Sequence, residues 1–236
     1  MVDRLRKAPD HPSIRRGRGY SALEGTAWAA SLGSVAKGLF DRALGWLCVS
    51  ADACARLYEA FAAGSDVSLE RLAAGNWQAL LHAHASTDGA LTARFCRLYD
   101  LELAARPEAR STRDSMYHGR LLKALTEGRV DDARGVLGER RPKVEAMFRG
   151  YVECMEAVAA DDDHAFREAI SAASTAWEKY ASRFWRGLPD AVCFLNGVGL
   201  IRLAEHVWGR GIIIEDPSIP GELQGDVQME RIDLGL

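Results

Sequence analysis

Residues 189–223, PDAVCFLNGVGLIRLAEHVWGRGIIIEDPSIPGEL, decide how we expect the chain to fold. From Ala191 to Val207 this stretch would be apolar on nearly every side of a helix, and such a helix must be surrounded by other elements. Pro189 suits the first turn of a helix, and Gly209 suits its end. The stretch therefore predicts a buried helix close to the C-terminus.

Two glycines, Gly197 and Gly199, lie in the middle of this predicted helix. Together they cost about 2 kcal/mol of helix propensity relative to alanine. The simplest way to offset that cost is a neighbouring helix that approaches closely where the side chains are missing. We therefore expect a tight contact with another helix at these positions.

The residues that follow predict an extended exit from the helix. Ile212–Ile214 is short and β-branched, which makes it a weak strand candidate. Asp216, Pro217 and Pro220 should fix a turn-rich loop after it. Period-two alternation of apolar and polar residues is absent elsewhere in the sequence, so no sheet is expected.

The rest of the chain predicts helices joined by short turns. Apolar residues recur at helical spacing from Leu23 to Leu47, and later segments follow residues that commonly cap helices. The expected caps are Ser50 or Asp52, Asn76, Asp88, Ser111 or Thr112, and Asp163. The prediction is an all-α fold of stacked antiparallel helical hairpins with a buried C-terminal helix and an extended tail.

One internal similarity bears on the architecture. Residues 124–137 align with residues 157–170 at an offset of 33. In both segments a helix ends, a tight acidic turn follows and a second helix begins. A period of about 34 is typical of tetratricopeptide-like hairpins, but their consensus sequence is absent. A tetratricopeptide-like solenoid and an irregular bundle with similar turns both remain open.

Charge is distributed unevenly along the 236 residues, whose formal net charge is −3. Residues 1–20 hold six Lys and Arg against two Asp, whereas residues 212–236 hold six Asp and Glu against one Arg. We interpret residues 1–20 as a basic, solvated N-terminal arm, with contact to an acidic partner or nucleic acid as the alternative. Residues 21–223 are expected to form a single α-helical domain, and residues 224–236 a C-terminal tail.

Cysteine usage and the absence of targeting segments indicate a cytoplasmic protein. The five cysteines include no C-x-x-C pair and sit among apolar residues, as reduced core thiols do. No apolar segment follows the basic N-terminus as in a signal peptide. No run approaches the roughly 18 apolar residues of a membrane span.

Residues that commonly carry chemistry are scattered. Residues 161–163 are three aspartates, but they lack the alternating carboxylates and glycine of a calcium loop. His82 and His84 would point in nearly opposite directions on a helix, so they should pack rather than share a metal. The common catalytic and phosphate-binding motifs are missing. We therefore expect no enzyme, no catalytic residue, no cofactor and no metal.

The end of the chain resembles a known family. The residues GVGLIRLA at Gly197–Ala204, followed by GRGIIIEDPSIPGEL at Gly209–Leu223, are similar to the C-terminal signature of the immunity protein 49 family of bacterial polymorphic toxin systems. Members of that family are all-α. The resemblance implies a cytoplasmic antitoxin that neutralises a cognate toxin or secreted effector by binding it, as used in competition between bacteria.

This function predicts a protein partner and a surface rather than a reaction centre. The partner-binding candidates are Trp185, Arg186, Glu215, Asp216 and Glu222. An exposed tryptophan beside arginine suits a binding hot spot, and the acidic residues would suit a basic toxin. Nucleic acid and membrane are not expected as partners, and a homodimer is left open. The alternative function is a helical-repeat adaptor that scaffolds several proteins.

Overall fold

The structure, a computed structural model, describes residues 17–139, 142–144, 148–184, 186 and 191–234. These residues form ten α-helices and no β-strand, so the all-α prediction is confirmed. The helices are α1 (Arg18–Val35), α2 (Phe40–Ala62), α3 (Trp77–Ala85), α4 (Gly89–Leu98), α5 (Leu101–Ala104), α6 (Arg113–Thr126), α7 (Val130–Leu137), α8 (Arg149–Ala160), α9 (Asp163–Phe184) and α10 (Leu195–Trp208). Short 3₁₀ helices span Leu69–Leu72, Ala74–Asn76, Pro107–Ala109 and Gly221–Leu223.

Helices α1 and α2 form an antiparallel hairpin. The apolar residues recur at helical spacing from Leu23 to Leu47 and so do not reveal the turn between the two helices. The chain reverses at Gly38, whose φ of 71° lies in the left-handed region that glycine tolerates best. Helix α2 then continues through Ser50 and Asp52, so the prediction that one of them caps a new helix is wrong. Ser50 is buried inside α2, with its Oγ 3.1 Å from His82 Nδ1.

Two of the expected helix caps are confirmed. Asp88 Oδ1 accepts a hydrogen bond from the N–H of Leu91 at 2.9 Å at the start of α4. Thr112 Oγ1 accepts one from the N–H of Ser115 at 3.0 Å at the start of α6. Each bond satisfies a backbone donor that has no partner inside the helix.

Two other caps differ from the prediction. The cap of α9 is Asp162, which accepts a bond from the N–H of Ala165 at 2.9 Å. Asp163 lies inside the helix and pairs with Arg167 at 2.8 Å. Asn76 precedes α3, but its amide donates to other groups, including Tyr58 Oη at 3.1 Å. In each case a neighbouring polar group competes for the side chain that the sequence pattern assigns to the cap.

Helices α3 and α10 occupy the centre of the molecule. Eight of the nine residues of α3 are buried, and α10 packs against α3, α6, α8 and α9. The prediction of a buried C-terminal helix that ends at Gly209 is confirmed, since Gly209 adopts a φ of 65°. The helix begins at Leu195, because the N–H of Phe194 donates to Ser218 O at 2.7 Å instead of joining a helix. Pro189 lies outside the described residues.

The two glycines of α10 make room for different neighbours. A Cβ added to Gly199 would lie 2.6 Å from the carbonyl oxygen of Leu81 in α3, so this position permits the expected helix–helix contact. A Cβ on Gly197 would lie 2.7 Å from the ring of Phe194 and 3.0 Å from Ile219. Gly197 therefore accommodates side chains from the flanking loops rather than a second helix.

The second half of the chain contains the two hairpins that the internal similarity predicts, α6–α7 and α8–α9. The N–H of Arg129 donates to Ala124 O at 2.8 Å, and at the offset of 33 the N–H of Asp162 donates to Ala157 O at 3.0 Å. The same type of turn ends α1 and α2 at other spacings, so it reflects a common way of ending helices. Because α10 returns to pack on α3, the chain closes into a bundle, unlike a solenoid whose repeats contact only their neighbours.

Both ends of the predicted domain extend further than the sequence suggests. Helix α1 begins at Arg18, and residues 1–16 of the predicted arm lie outside the described residues. In the predicted tail, the side chain of Gln224 is buried, and the N–H of Glu230 donates to Asp41 O at 3.1 Å. The tail thus packs along α2 instead of leaving the body. In the described part of the chain, no helix is long and apolar enough to cross a membrane.

His82 and His84, both on α3, are packing groups that burial keeps neutral. His82 stacks on Trp28, with ring centroids 4.4 Å apart, and His84 Nε2 lies 2.9 Å from Thr126 Oγ1. Burial lowers the pKa of His82 to about 4. Burial, with a smaller contribution from His206, lowers the pKa of His84 to about 3. Among the described residues no group of three or more potential metal ligands occurs.

We expect Gly199→Ala to lower the free energy of unfolding by about 1–3 kcal/mol, because the new methyl group meets rigid backbone of α3. The matched control is Gly135→Ala, since no heavy atom lies within 4 Å of a Cβ at this exposed position in α7. That control should gain about 0.5–1 kcal/mol from helix propensity. Urea unfolding of both variants measures the difference, and equal effects would contradict a tight α3–α10 contact.

Acid should destabilise the protein through His82 and His84. Both have an ordinary pKa of 6.5 when unfolded and take up protons in the folded state only near pH 4 or below. The unfolded chain therefore binds more protons between these values, and stability falls as the pH drops below about 6.5, by up to about 3 kcal/mol per pH unit. Urea unfolding at several pH values should give a shallower slope for His84→Gln. The exposed control His164→Gln should keep the wild-type slope.

Candidate functional site

The polypeptide after α10, residues 211–234, forms an ordered path over the helices, which we call the C-terminal segment. Its backbone is tied down by side chains of the body. The N–H of Ile212 donates to Glu205 Oε1 at 3.0 Å, and Arg167 of α9 donates to Ile213 O at 2.9 Å. Arg202 of α10 donates to Leu223 O at 3.2 Å. The segment is therefore held against α9 and α10 along much of its length.

Within the described ranges, the predicted strand at Ile212–Ile214 does not pair with another strand. Instead the buried side chain of Gln224 takes the place of a strand partner. The N–H of Ile214 donates to Gln224 Oε1 at 2.7 Å, and Gln224 Nε2 donates to Ile214 O at 2.9 Å. An amide group offers one donor and one acceptor in the same arrangement as a peptide unit. A single side chain thus satisfies both backbone groups of a buried residue, which a strand pattern alone does not predict.

Asp216 fixes the turn at the centre of the segment. Its Oδ1 accepts hydrogen bonds from the N–H of Ser218 at 2.8 Å and from Ser174 Oγ at 2.9 Å. Asp216 also forms an isolated bridge with Ile219. Ser218 Oγ in turn donates to Glu178 of α9. The carboxylate of this candidate partner-binding residue is therefore engaged inside the protein, where it orients the loop.

The other acidic side chains of the segment face solvent. The predicted residues Glu215 and Glu222 are exposed, and so are Asp226 and Glu230, which sequence reasoning did not single out. Within the described residues, none of these four carboxylates forms an ion pair. We call them the acidic surface. The sequence signal that could have found Asp226 and Glu230 is the excess of acidic over basic residues between positions 212 and 236.

The two remaining partner-binding candidates, Trp185 and Arg186, are not part of the C-terminal segment. Arg186 follows α9 and is exposed, and in the described part of the chain it makes no hydrogen bond or ion pair with the C-terminal segment. Trp185 lies outside the described residues. The structure thus places Glu215 and Glu222 on one ordered segment, and Arg186 is not part of that segment.

The acidic surface is suited to the electrostatic attraction of a positively charged partner. Each exposed carboxylate that forms no ion pair within the described residues contributes negative potential, which attracts a basic surface over about a Debye length, roughly 8–10 Å at physiological salt. No protein-family model, curated protein or solved structure matches the chain. The family resemblance of the C-terminal residues therefore stays a prediction from the sequence.

We expect Gln224→Met to loosen the C-terminal segment, because it leaves the buried N–H and C=O of Ile214 without partners. Each such group costs about 1–3 kcal/mol, so the free energy of unfolding should fall by about 2–4 kcal/mol. Hydrogen exchange at the Ile214 amide should accelerate. Gln228→Met is the matched control, since Gln228 is exposed in the same segment and should change neither quantity. Unchanged exchange at Ile214 would show that the Gln224 bonds do not hold the segment.

Proposed function

We propose that this protein is an immunity protein, which binds a cognate bacterial toxin or secreted effector in the cytoplasm and neutralises it without catalysis. The observation that carries the proposal is the acidic surface on a C-terminal segment whose backbone is hydrogen-bonded to α9 and α10. The resemblance of residues 197–223 to the immunity protein 49 signature supports the same function.

Pre-organisation of the surface favours tight binding. Association of two proteins loses free energy when loops and side chains become ordered at the interface. The C-terminal segment already has its backbone groups paired, for example Ile214 with Gln224. Less ordering is therefore required when a partner arrives, so more of the interaction energy appears as affinity.

Charge favours rapid binding. An immunity protein must reach its toxin before the toxin reaches a target, and complementary charge raises association rates from about 10⁵–10⁶ to as much as about 10⁸–10⁹ M⁻¹s⁻¹ at low salt. The exposed carboxylates of Glu215, Glu222, Asp226 and Glu230 suit a toxin with a basic surface. Toxins that act on nucleic acids commonly have such a surface, because they must bind phosphates.

A second candidate function is a helical-repeat adaptor. It is favoured by the two hairpins α6–α7 and α8–α9, whose turn sequences align at an offset of 33 residues. An adaptor would bind several partners of its own cell, whereas an immunity protein binds one toxin stoichiometrically. Deleting the gene separates the two functions, since only the loss of an immunity protein makes cells sensitive to siblings armed with the neighbouring toxin.

The proposal predicts that charge reversal of the acidic surface slows toxin binding. Glu222→Lys combined with Asp226→Lys should lower the association rate by about tenfold or more and reduce its dependence on salt. Glu102→Lys combined with Glu108→Lys is the control, since both residues are exposed and lie outside the C-terminal segment. Surface plasmon resonance with the toxin encoded by the adjacent gene measures the rates. Equal rates for the two double variants would place the interface elsewhere.

A further inference from the structure

A cavity of about 290 Å³ lies where α1, α3, α8, α9 and the start of α10 meet. Ligand pockets generally range from about 300 to 1,000 Å³, so this volume suits a small molecule. Five aromatic side chains of the described residues contribute to its lining: Trp28, Phe148, Tyr151, Trp177 and Phe194. Among the described residues that line it, Glu24 is the one with a charged side chain.

The aromatic rings hold one another in place. Trp177 stacks on Phe194 with ring centroids 5.9 Å apart, and Tyr151 meets the same ring edge-on at 5.6 Å. Phe148 lies edge-on to Tyr151 at 5.5 Å. Aromatic pairs of this kind prefer these offset and edge-on geometries. These contacts fix how four of the five rings are oriented relative to one another.

Glu24 is one of the polar groups that the described part of this wall leaves unmatched, and the buried Oδ1 of Asn196 is another. The Glu24 carboxyl is half-buried on α1, and within the described residues it forms no hydrogen bond or ion pair. Loss of water around it raises its pKa, and no basic group in the described part of the chain offsets that shift. A carboxylate in such surroundings is stabilised by a cation that replaces the missing water.

Nearby polar groups do not supply that positive charge. His82 lines the cavity, but burial lowers its pKa to about 4 and it is neutral at physiological pH. Burial raises the pKa of the Cys193 thiol to about 12, so it is uncharged as well. Asn196 lines the cavity with a neutral amide, and its Nδ2 lies 3.4 Å from Tyr151 Oη. The described part of the cavity wall thus combines aromatic rings with one carboxylate and no cationic side chain.

We propose that this cavity binds a small organic ammonium ion, which packs among the aromatic rings and pairs with the carboxylate of Glu24. Aromatic faces attract ammonium groups through their negative electrostatic potential, most strongly where tryptophan is present and water is excluded. The alkyl part of the ligand is matched by the apolar remainder of the wall. None of the lining residues belongs to the C-terminal segment, so ligand binding is a function separate from toxin binding.

Isothermal titration calorimetry with three ammonium probes tests the proposal: tetramethylammonium, choline and butylammonium. We expect at least one to bind with a dissociation constant below about 1 mM. The neutral isostere of choline, 3,3-dimethylbutan-1-ol, should bind at least about tenfold more weakly than choline, because it lacks the charge that the rings and Glu24 attract. The affinity of a probe that binds should rise with pH as Glu24 loses its proton.

Two variants assign the binding to this cavity. Glu24→Gln keeps the shape of the side chain but removes its charge, and it should weaken binding of the probe by about tenfold or more. Trp28→Leu should also weaken binding, since leucine lacks an aromatic face. Glu102→Gln, an exposed carboxylate on α5, is the control and should leave the affinity unchanged. Melting temperatures confirm that each variant is folded.

Three results would overturn the proposal. The first is the absence of binding by all three probes at about 10 mM, well above the expected dissociation constant. The second is equal binding of choline and its neutral isostere, which would make the cavity merely apolar. The third is a folded Glu24→Gln variant with wild-type affinity. None of these results bears on whether the protein neutralises a toxin.

Discussion

The close approach of α10 to α3 is the constraint on which the other contacts depend. Gly199 brings the α10 backbone so near to Leu81 that a methyl group would lie 2.6 Å from its carbonyl oxygen. Two helices in such contact exclude water from the residues on both sides of the seam. They form the centre of the main apolar core, to which α1 contributes the fully buried Leu32 and α7 contributes Val136. A smaller apolar cluster lies between α1 and α2. Helix α10, late in the chain, thus joins the two halves of the sequence.

This central contact explains why the buried polar groups are where they are. Helix α3 is surrounded, so His82 and His84, on opposite sides of it, are both shielded from water. Each ring retains a hydrogen-bonding neighbour from another helix, Ser50 and Thr126 respectively. A buried polar group with a partner costs little, whereas one without a partner costs about 1–3 kcal/mol. The histidines therefore help to define which helices lie beside α3.

The sequence predicts those features that depend on local pattern. The buried C-terminal helix, its end at Gly209 and the caps at Asp88 and Thr112 follow from periodicity and from short-range hydrogen bonding. The centre of the fold was less evident, because α3 is only nine residues long and carries two histidines. Its burial depends on packing with helices distant in sequence, and periodicity within nine residues contains no information about them.

The candidate sites also combine features that local sequence predicts with features that depend on contacts distant in sequence. The acidic composition of the C-terminal residues predicts a charged surface, and Glu215 and Glu222 are exposed as that function requires. The engagement of Asp216 by Ser174 depends on a contact between residues 42 positions apart, which no local motif encodes. The aromatic cavity is a stronger example, since its lining comes from α1, α3, α8, α9 and α10. In sequence these aromatic residues are interpreted as ordinary core.

The C-terminal segment and the aromatic cavity differ in what their surroundings do to a carboxylate. On the segment the carboxylates are exposed and surrounded by water, so each contributes to a field that acts at a distance and weakens with salt. In the cavity Glu24 is half-buried beside aromatic rings, so its charge is screened less and acts more strongly on a group that enters the cavity. The first environment favours steering of a large basic partner, and the second favours selective retention of a small cation. One chain with a modest net charge of −3 can therefore use acidic residues in two distinct ways, because burial rather than residue type determines how strongly each charge is screened.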